Sequence, residues 1–144
     1  MLFRSVIAEP LDEPNGLILG QRSGEQRFLV LVNYDQGQKQ KPASAIENVD
    51  GQNVDRNATT IRSALLKKNR LSQIVCTVRK TSVTVSVDGQ EIINWRGDSS
   101  RLGLSDYWQT PTATALFLGA YDCRYRFTRV TVSAISGTGK NLTQ

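Results

Sequence analysis

The clearest alternation of apolar and polar positions runs from Ile74 to Trp95. Val83, Val85 and Val87 alternate with Thr84 and Ser86, the period of a strand with one buried and one wet face. Asp88-Gly89 follows, a pair suited to a two-residue hairpin turn whose central residues need positive φ. The segment predicts three antiparallel strands, at residues 71–79, 82–87 and 91–95. Upstream, Asn15-Gly16 signals a turn, 16–20 a short strand, and Arg22 to Glu25 another turn. The apolar run at 27–34 predicts a central strand. Residues 35–56 are polar, with Gly37, Pro42, Gly51 and four glutamines. They predict a long surface loop with room for a short β excursion, and connections of this length often bind something.

Residues 57–66 carry two signals. Ile61, Leu65 and Leu66 have helical spacing, whereas Ala58, Thr59, Thr60 and Ile61 suit a strand. The strand is the favoured reading, leading into a turn at Lys67 to Arg70. Residues 97–111 predict a loop that carries Tyr107 and Trp108, with one helical turn near 99–102. A strand at 113–120, a turn at Tyr121-Asp122 and a final strand at 124–135 follow. That last strand is bulged near Thr128 and Arg129, where the apolar phase of Tyr125 and Phe127 shifts to Val130 and Val132. Residues 136–144 form a polar tail. There is no internal repeat and no amphipathic helix. Short strands separated by turn signals make this an all-β antiparallel sandwich. The 144 residues suffice for one domain, placed at 6–136 with its long loop at 35–56 and its tail at 137–144.

The tetrapeptide Leu2-Phe3-Arg4-Ser5 has a second reading. It is the translation of CTC-TTC-CGA-TCT, the end of a widely used sequencing adapter. Residues 1–5 are therefore expected to be adapter read-through, in which case Met1 is not the native start and further chain precedes Val6. The short apolar patch from Val6 to Ala8, ended by Glu9 and Pro10, is not a signal peptide. A compartment outside the cytoplasm is favoured if an upstream segment supplies one.

Charge and composition narrow the chemistry. Eighteen Lys and Arg against thirteen Asp and Glu give a net charge of +5, which favours acidic partners. The basic residues are dispersed, however. The one tight cluster, Lys67, Lys68 and Arg70, has no interleaved aromatic, which speaks against nucleic acid. No histidine is present, so a Ser-His-Asp triad is excluded. Cys76 and Cys123 are too few for a usual zinc site. Cys76 alternates with Ile74 and Val78 and is expected in the core, and a bridge to Cys123 stays open if their strands are neighbours. No apolar run approaches the roughly twenty residues of a membrane span.

Two stretches carry a family resemblance: LSQIVCTVRKTSVTVSVDGQEIINWRGD from Leu71 and LGLSDYWQTPTATALFLGAYDCRYRFTRVTVSAISGTG from Leu102. The V-x-V-D-G hairpin, the W-x-G-D turn, the Leu-Gly strand and the closing strand resemble concanavalin A-like (laminin-G-like) lectin and glucanase sandwiches. They also resemble uncharacterised bacterial modules that stand beside kinase, repeat or glycan-processing domains. The resemblance covers the C-terminal two-thirds, and residues 6–56 match it poorly. It implies a jelly-roll of two antiparallel sheets whose first strands are missing at the N-terminus. It further implies binding of carbohydrate or protein, with glycoside hydrolases in some branches.

Fold alone does not assign function. The alternating Glu-x-Asp-x-x-Glu arrangement of sandwich-fold hydrolases is absent. Asp88 and Glu91 lie close, but Asp88 belongs to the hairpin turn, and no strand bears two acids at i and i+2, so no catalytic pair is expected. For sugar binding, the available pieces are Trp95, Tyr107 and Trp108 with Asp98, Arg101 and Asp106. Trp95 is expected in the core. Tyr107 and Trp108 are the stacking candidates, with loop anchoring as their competing role, and Asp98 and Arg101 would supply loop hydrogen bonds. Arg124 and Arg126 share a strand face, about 7 Å apart, and could clamp carboxylate or sulfate groups. Ordinary cross-strand ion pairs are the alternative. Asp35, Asp50, Asp55 and Asn57 are loop oxygens without a calcium-ligand cadence. Asn57 and Asn141 sit in glycosylation sequons. The expectation is a non-catalytic recognition module for carbohydrate, with an anionic glycan favoured by the net charge. It would need neither metal nor cofactor and would belong to a larger bacterial protein. A fragment of a glycan-processing enzyme and a structural or protein-docking domain are the alternatives.

Overall fold

The computed structural model describes residues 2–37, 39–110, 112 and 114–134. Its strands are β1 (Leu2–Pro10), β2 (Leu17–Ser23), β3 (Gln26–Tyr34), β4 (Ala43–Ile46), β5 (Ile61–Arg62), β6 (Ser72–Arg79), β7 (Ser82–Val87), β8 (Gln90–Arg96), β9 (Phe117–Ala120) and β10 (Tyr125–Ala134), with a 3₁₀ turn at Ser99–Arg101. Sheet A has the order β10-β1-β6-β7-β8 and sheet B the order β5-β4-β3-β2-β9. Every pairing is antiparallel. The protein is an all-β, two-sheet sandwich of jelly-roll type.

Strand periodicity builds the core. Ile74, Cys76 and Val78 on β6, Val83, Val85 and Val87 on β7, and Ile93 and Trp95 on β8 face inward. They pack against Leu17 and Leu19 of β2 and Phe28, Val30 and Val32 of β3. The Asp88-Gly89 turn has φ values of 51° and 83°, the left-handed pair that a tight hairpin requires. The bulge in β10 lies where the phase shift places it. Ala8 pairs with Phe127 and Ile7 with Arg129, which leaves Thr128 as the extra residue.

Sheet B is apolar on its outer face as well. Ile18, Leu29, Leu31, Tyr34, Ala43, Ala45 and Val54 form a second buried cluster, covered by Leu104, Trp108 and Phe117. Parts of both long connections therefore pack against the sheet, through Val54 in the first and Leu104 and Trp108 in the second.

Several expectations are corrected. Residues 6–56, which match the resemblance poorly, are nonetheless part of the sandwich: β1 lies inside sheet A between β6 and β10, and β2 to β4 build three strands of sheet B. Residues 2–5 form the first half of β1. The pattern of β1 is masked because its inward face carries a charge. Arg4 is buried, and its Nη1 donates to the Gly20 carbonyl at 3.0 Å and to Gln21 Oε1 at 3.2 Å. The 35–56 segment contains the short excursion, β4, but is more than a surface loop, since Glu47, Val49 and Val54 are also buried. Of 57–66, only Ile61 and Arg62 form a strand, because the hydroxyls of Thr59 and Thr60 bond to the loop instead. The tail from 136 and the Asn141 sequon lie outside the described residues.

Cys76 and Cys123 are unbridged thiols. Burial pushes the Cys76 thiol up to about 11, whereas Cys123 is partly exposed and contacts the Arg124 carbonyl. The expected outcome with an aromatic disulfide reagent at pH 8 is one fast equivalent from Cys123, with Cys76 reacting only on unfolding. Two fast equivalents would contradict this placement of β6.

Candidate functional site

The two covering loops are tied together by polar groups that the fold buries. Glu47 follows β4 and is 0 % exposed. Its Oε1 accepts from the Ser105 N–H at 2.7 Å and its Oε2 from the Ser105 hydroxyl at 2.6 Å. Asn48 Nδ2 then donates to Ser105 Oγ at 3.1 Å. Burial raises the Glu47 carboxyl above the usual glutamate range, and the two bonds from Ser105 pull it back.

A second tie lies on the surface. Arg101 donates from Nε and Nη2 to the two Asp50 oxygens, each at 2.8 Å, and the Asp50 N–H donates to the Arg101 carbonyl at 2.8 Å. The Arg101 guanidinium lies 5.4 Å from the centre of the Trp95 ring. Asp98 starts the 3₁₀ turn, its Oδ1 accepting from the Ser100 N–H at 2.8 Å. These bonds hold the carboxyls of Asp50 and Asp98 below the usual aspartate range. Gly97 has no room for a side chain, because a Cβ there would stand 2.7 Å from both Trp95 and Arg101.

Asn57 is the internal tie of the first loop. Its amide donates to the carbonyls of Ile46 at 2.7 Å and Asn53 at 3.1 Å, and its Oδ1 accepts from the Thr59 N–H and hydroxyl. The side-chain nitrogen of this sequon is thus committed to the fold.

Between the tied loops lies an open groove of about 470 Å³, lined by Asn48, Gly51, Asn53, Leu104, Ser105, Asp106 and Tyr107. A second groove of about 490 Å³ continues from Gly51 and Asn53 to Gln52 and Arg56. Tyr107 is 60 % exposed and presents its ring at the rim. Amides, a carboxylate and a hydroxyl surround one bare aromatic ring, on backbone fixed from beneath.

The sequence candidates fall in three places. Tyr107 and Asp106 line the groove. Trp108 turns away from it and packs edge-on against Tyr34, with ring centres 5.9 Å apart, so it anchors the loop on the second apolar cluster. Asp98 and Arg101 brace the loops. Arg124 and Arg126 are not brought to the groove. Arg124 donates to Asp12 from Nη2 at 2.9 Å and from Nε at 3.1 Å, and Arg126 pairs with Glu9 at 3.5 Å. The Arg124 bonds hold the Asp12 carboxyl at about 2. The Glu9–Arg126 pair is a cross-strand one between β1 and β10, and the Asp12–Arg124 pair lies just beyond the ends of the same two strands. Asp35 caps Gly37 and Asp55 pairs with Arg62. Among the described residues, no cluster of three metal-ligating side chains occurs.

Sequence reasoning missed Glu47, Asn48, Asn53 and Ser105 as individuals. The signal available was the length and the Asn-Gly content of the loop. Replacement of Glu47 by alanine should leave the Ser105 N–H and the Ser105 hydroxyl proton without their acceptors and lower stability by about 1–3 kcal/mol in urea unfolding. An unchanged midpoint would show that the tie does not hold the loops.

No protein-family model matches the chain, and no curated protein matches it. Among solved structures it is similar to sheep galectin-11 in complex with glycerol, with a TM-score of 0.49 and 14 % identity over 92 % of this chain and 89 % of that one. At this distance, the description of the fold rests on the strand order and packing above.

Proposed function

We propose that the protein is a non-catalytic recognition module for carbohydrate, working as part of a larger polypeptide, with its site in the groove at Tyr107. The observation that carries this reading is the exposed Tyr107 ring beside Asn48, Asn53, Asp106 and Ser105 on two braced loops. Sugars offer an apolar C–H face to an aromatic ring and hydroxyls to planar amides and carboxylates. A groove that is formed before binding loses little entropy on occupation. Glu47, the buried carboxylate of these loops, has both oxygens engaged by Ser105, which suits a positioning role. Trp108 supports the site by holding the loop rather than by stacking on ligand.

The test is retention on a panel of immobilised neutral polysaccharides. Wild-type protein should bind at least one of them. Tyr107→Ala should weaken that binding by about tenfold or more while leaving the unfolding midpoint unchanged. Leu71→Ala, an exposed apolar change elsewhere, should bind as wild type. Equal retention of Tyr107→Ala and wild type, or no retention of wild type on any member of the panel, would overturn the proposal.

A further inference from the structure

The positive charge of this molecule is not evenly matched. Five ion pairs engage Arg62, Arg70, Arg101, Arg124 and Arg126 with carboxylates. Arg79, Lys80 and Arg96 belong to none of them among the described residues, and the fold gathers these three at one end of sheet A. Arg79 pairs in register with Ser82, and Ser82 with Arg96, so Arg79, Ser82 and Arg96 form a row on the same face across β6, β7 and β8, with Lys80 in the turn beside it. All three are on the solvent side, since the inward positions of these strands are the core valines and Trp95. The next row on this face is Thr77, Thr84 and Asn94.

Around these rows lies a groove of about 480 Å³, whose polar wall is Arg79, Lys80, Ser82, Thr84, Asn94 and Arg96. Glu91 lies at its far side, where Asn94 Nδ2 reaches Glu91 Oε2 at 3.4 Å. A second groove of about 280 Å³ shares Arg79 and Lys80 and adds Arg22 and Ser23, with Leu2 and Val78 as its apolar wall. Arg22 gives its terminal nitrogens to the carbonyls of Thr114 and Gly24, and its buried Nε has no partner. The acid nearest in sequence is Glu25, in the turn after Gly24.

We propose that this face of sheet A is a binding site for an acidic glycan, with Arg79, Lys80 and Arg96 taking its carboxylate or sulfate groups and Thr84, Asn94 and Glu91 its hydroxyls. Two guanidiniums flanking a strand match planar or tetrahedral oxyanions better than ammonium groups would. The hydroxyl, amide and carboxylate row behind them matches a ligand rich in hydroxyl groups. A single-stranded nucleic acid fits less well. The groove has no aromatic ring to stack on a base. The site is separate from the groove at Tyr107 and does not depend on it.

The experiment is titration of the protein with a polyuronate and with a sulfated dextran, with neutral dextran and a single-stranded DNA oligomer alongside. Three variants are compared with wild type: Arg79→Gln with Arg96→Gln, the charge-matched Lys67→Gln with Lys68→Gln, and Tyr107→Ala. The expected result is binding to at least one acidic polymer that weakens with salt, tighter than binding to the DNA. The polymer that binds distinguishes carboxylate from sulfate. The double arginine variant should lose about tenfold or more, the double lysine variant less than about threefold, and Tyr107→Ala nothing. The proposal is overturned by any of four results: no binding to either acidic polymer, equal losses in the two double variants, an unaffected arginine variant, or DNA as the tightest ligand.

Discussion

Sheet B carries apolar side chains on both faces, and the long connections take their shape from the need to cover the second one. From Phe28 to Tyr34 every residue of β3 is buried. Phe28, Val30 and Val32 meet sheet A, while Leu29 and Leu31 point the other way. Left bare, that outer face would hold a row of large side chains in water, at roughly 25 cal/mol for each Å² exposed. One connection sends Val54 and the other Leu104 and Trp108 to close it, beside Phe117 of β9. Closing it takes loop backbone out of water, and backbone groups there need partners. Glu47, Asn57 and Asn33 provide them. Asn33 accepts from the N–H groups of Leu65 and Leu66 and donates to the Pro14 carbonyl. The braced groove at Tyr107 is thus a consequence of how the second face is sealed.

How much of this was legible depends on whether the information is local. The β6–β7–β8 meander was readable because period-two valines and Asp88-Gly89 act over neighbouring residues. The bulge at Thr128 was readable for the same reason. The strand β1 was not, because Arg4 stands where an apolar residue would announce the inward face, and its partners Gly20 and Gln21 belong to another strand. The stretch from Asn57 to Thr60 misled because β-branched threonines suit a sheet, yet here their hydroxyls satisfy loop backbone. At the site, Tyr107 stood out as an aromatic in a long polar connection. Nothing near Glu47 in sequence says that its partner is Ser105, 58 residues on. Likewise Asp12, the partner of Arg124, lies 112 residues away. Pairings of this kind become visible only when the strands are in place.

The distribution of charge follows the same logic. Asp50 meets Arg101 between the two loops, and Asp12 and Glu9 meet Arg124 and Arg126 along the β1–β10 edge. At the β6–β7 hairpin, Arg79, Lys80 and Arg96 join no ion pair among the described residues, and Glu91 is the one carboxylate that shares their groove.

The account depends on the loops being held down by the second face of sheet B. Native-state hydrogen exchange tests that most directly, since it reads the opening of individual amides. The Ser105 N–H, bonded to Glu47, and the Asp50 N–H, bonded to the Arg101 carbonyl, should exchange as slowly as the amides of β3. If both exchange at the rate of an unstructured loop while β3 stays protected, the loops are not part of the packed structure, and the groove at Tyr107 is not a preformed site.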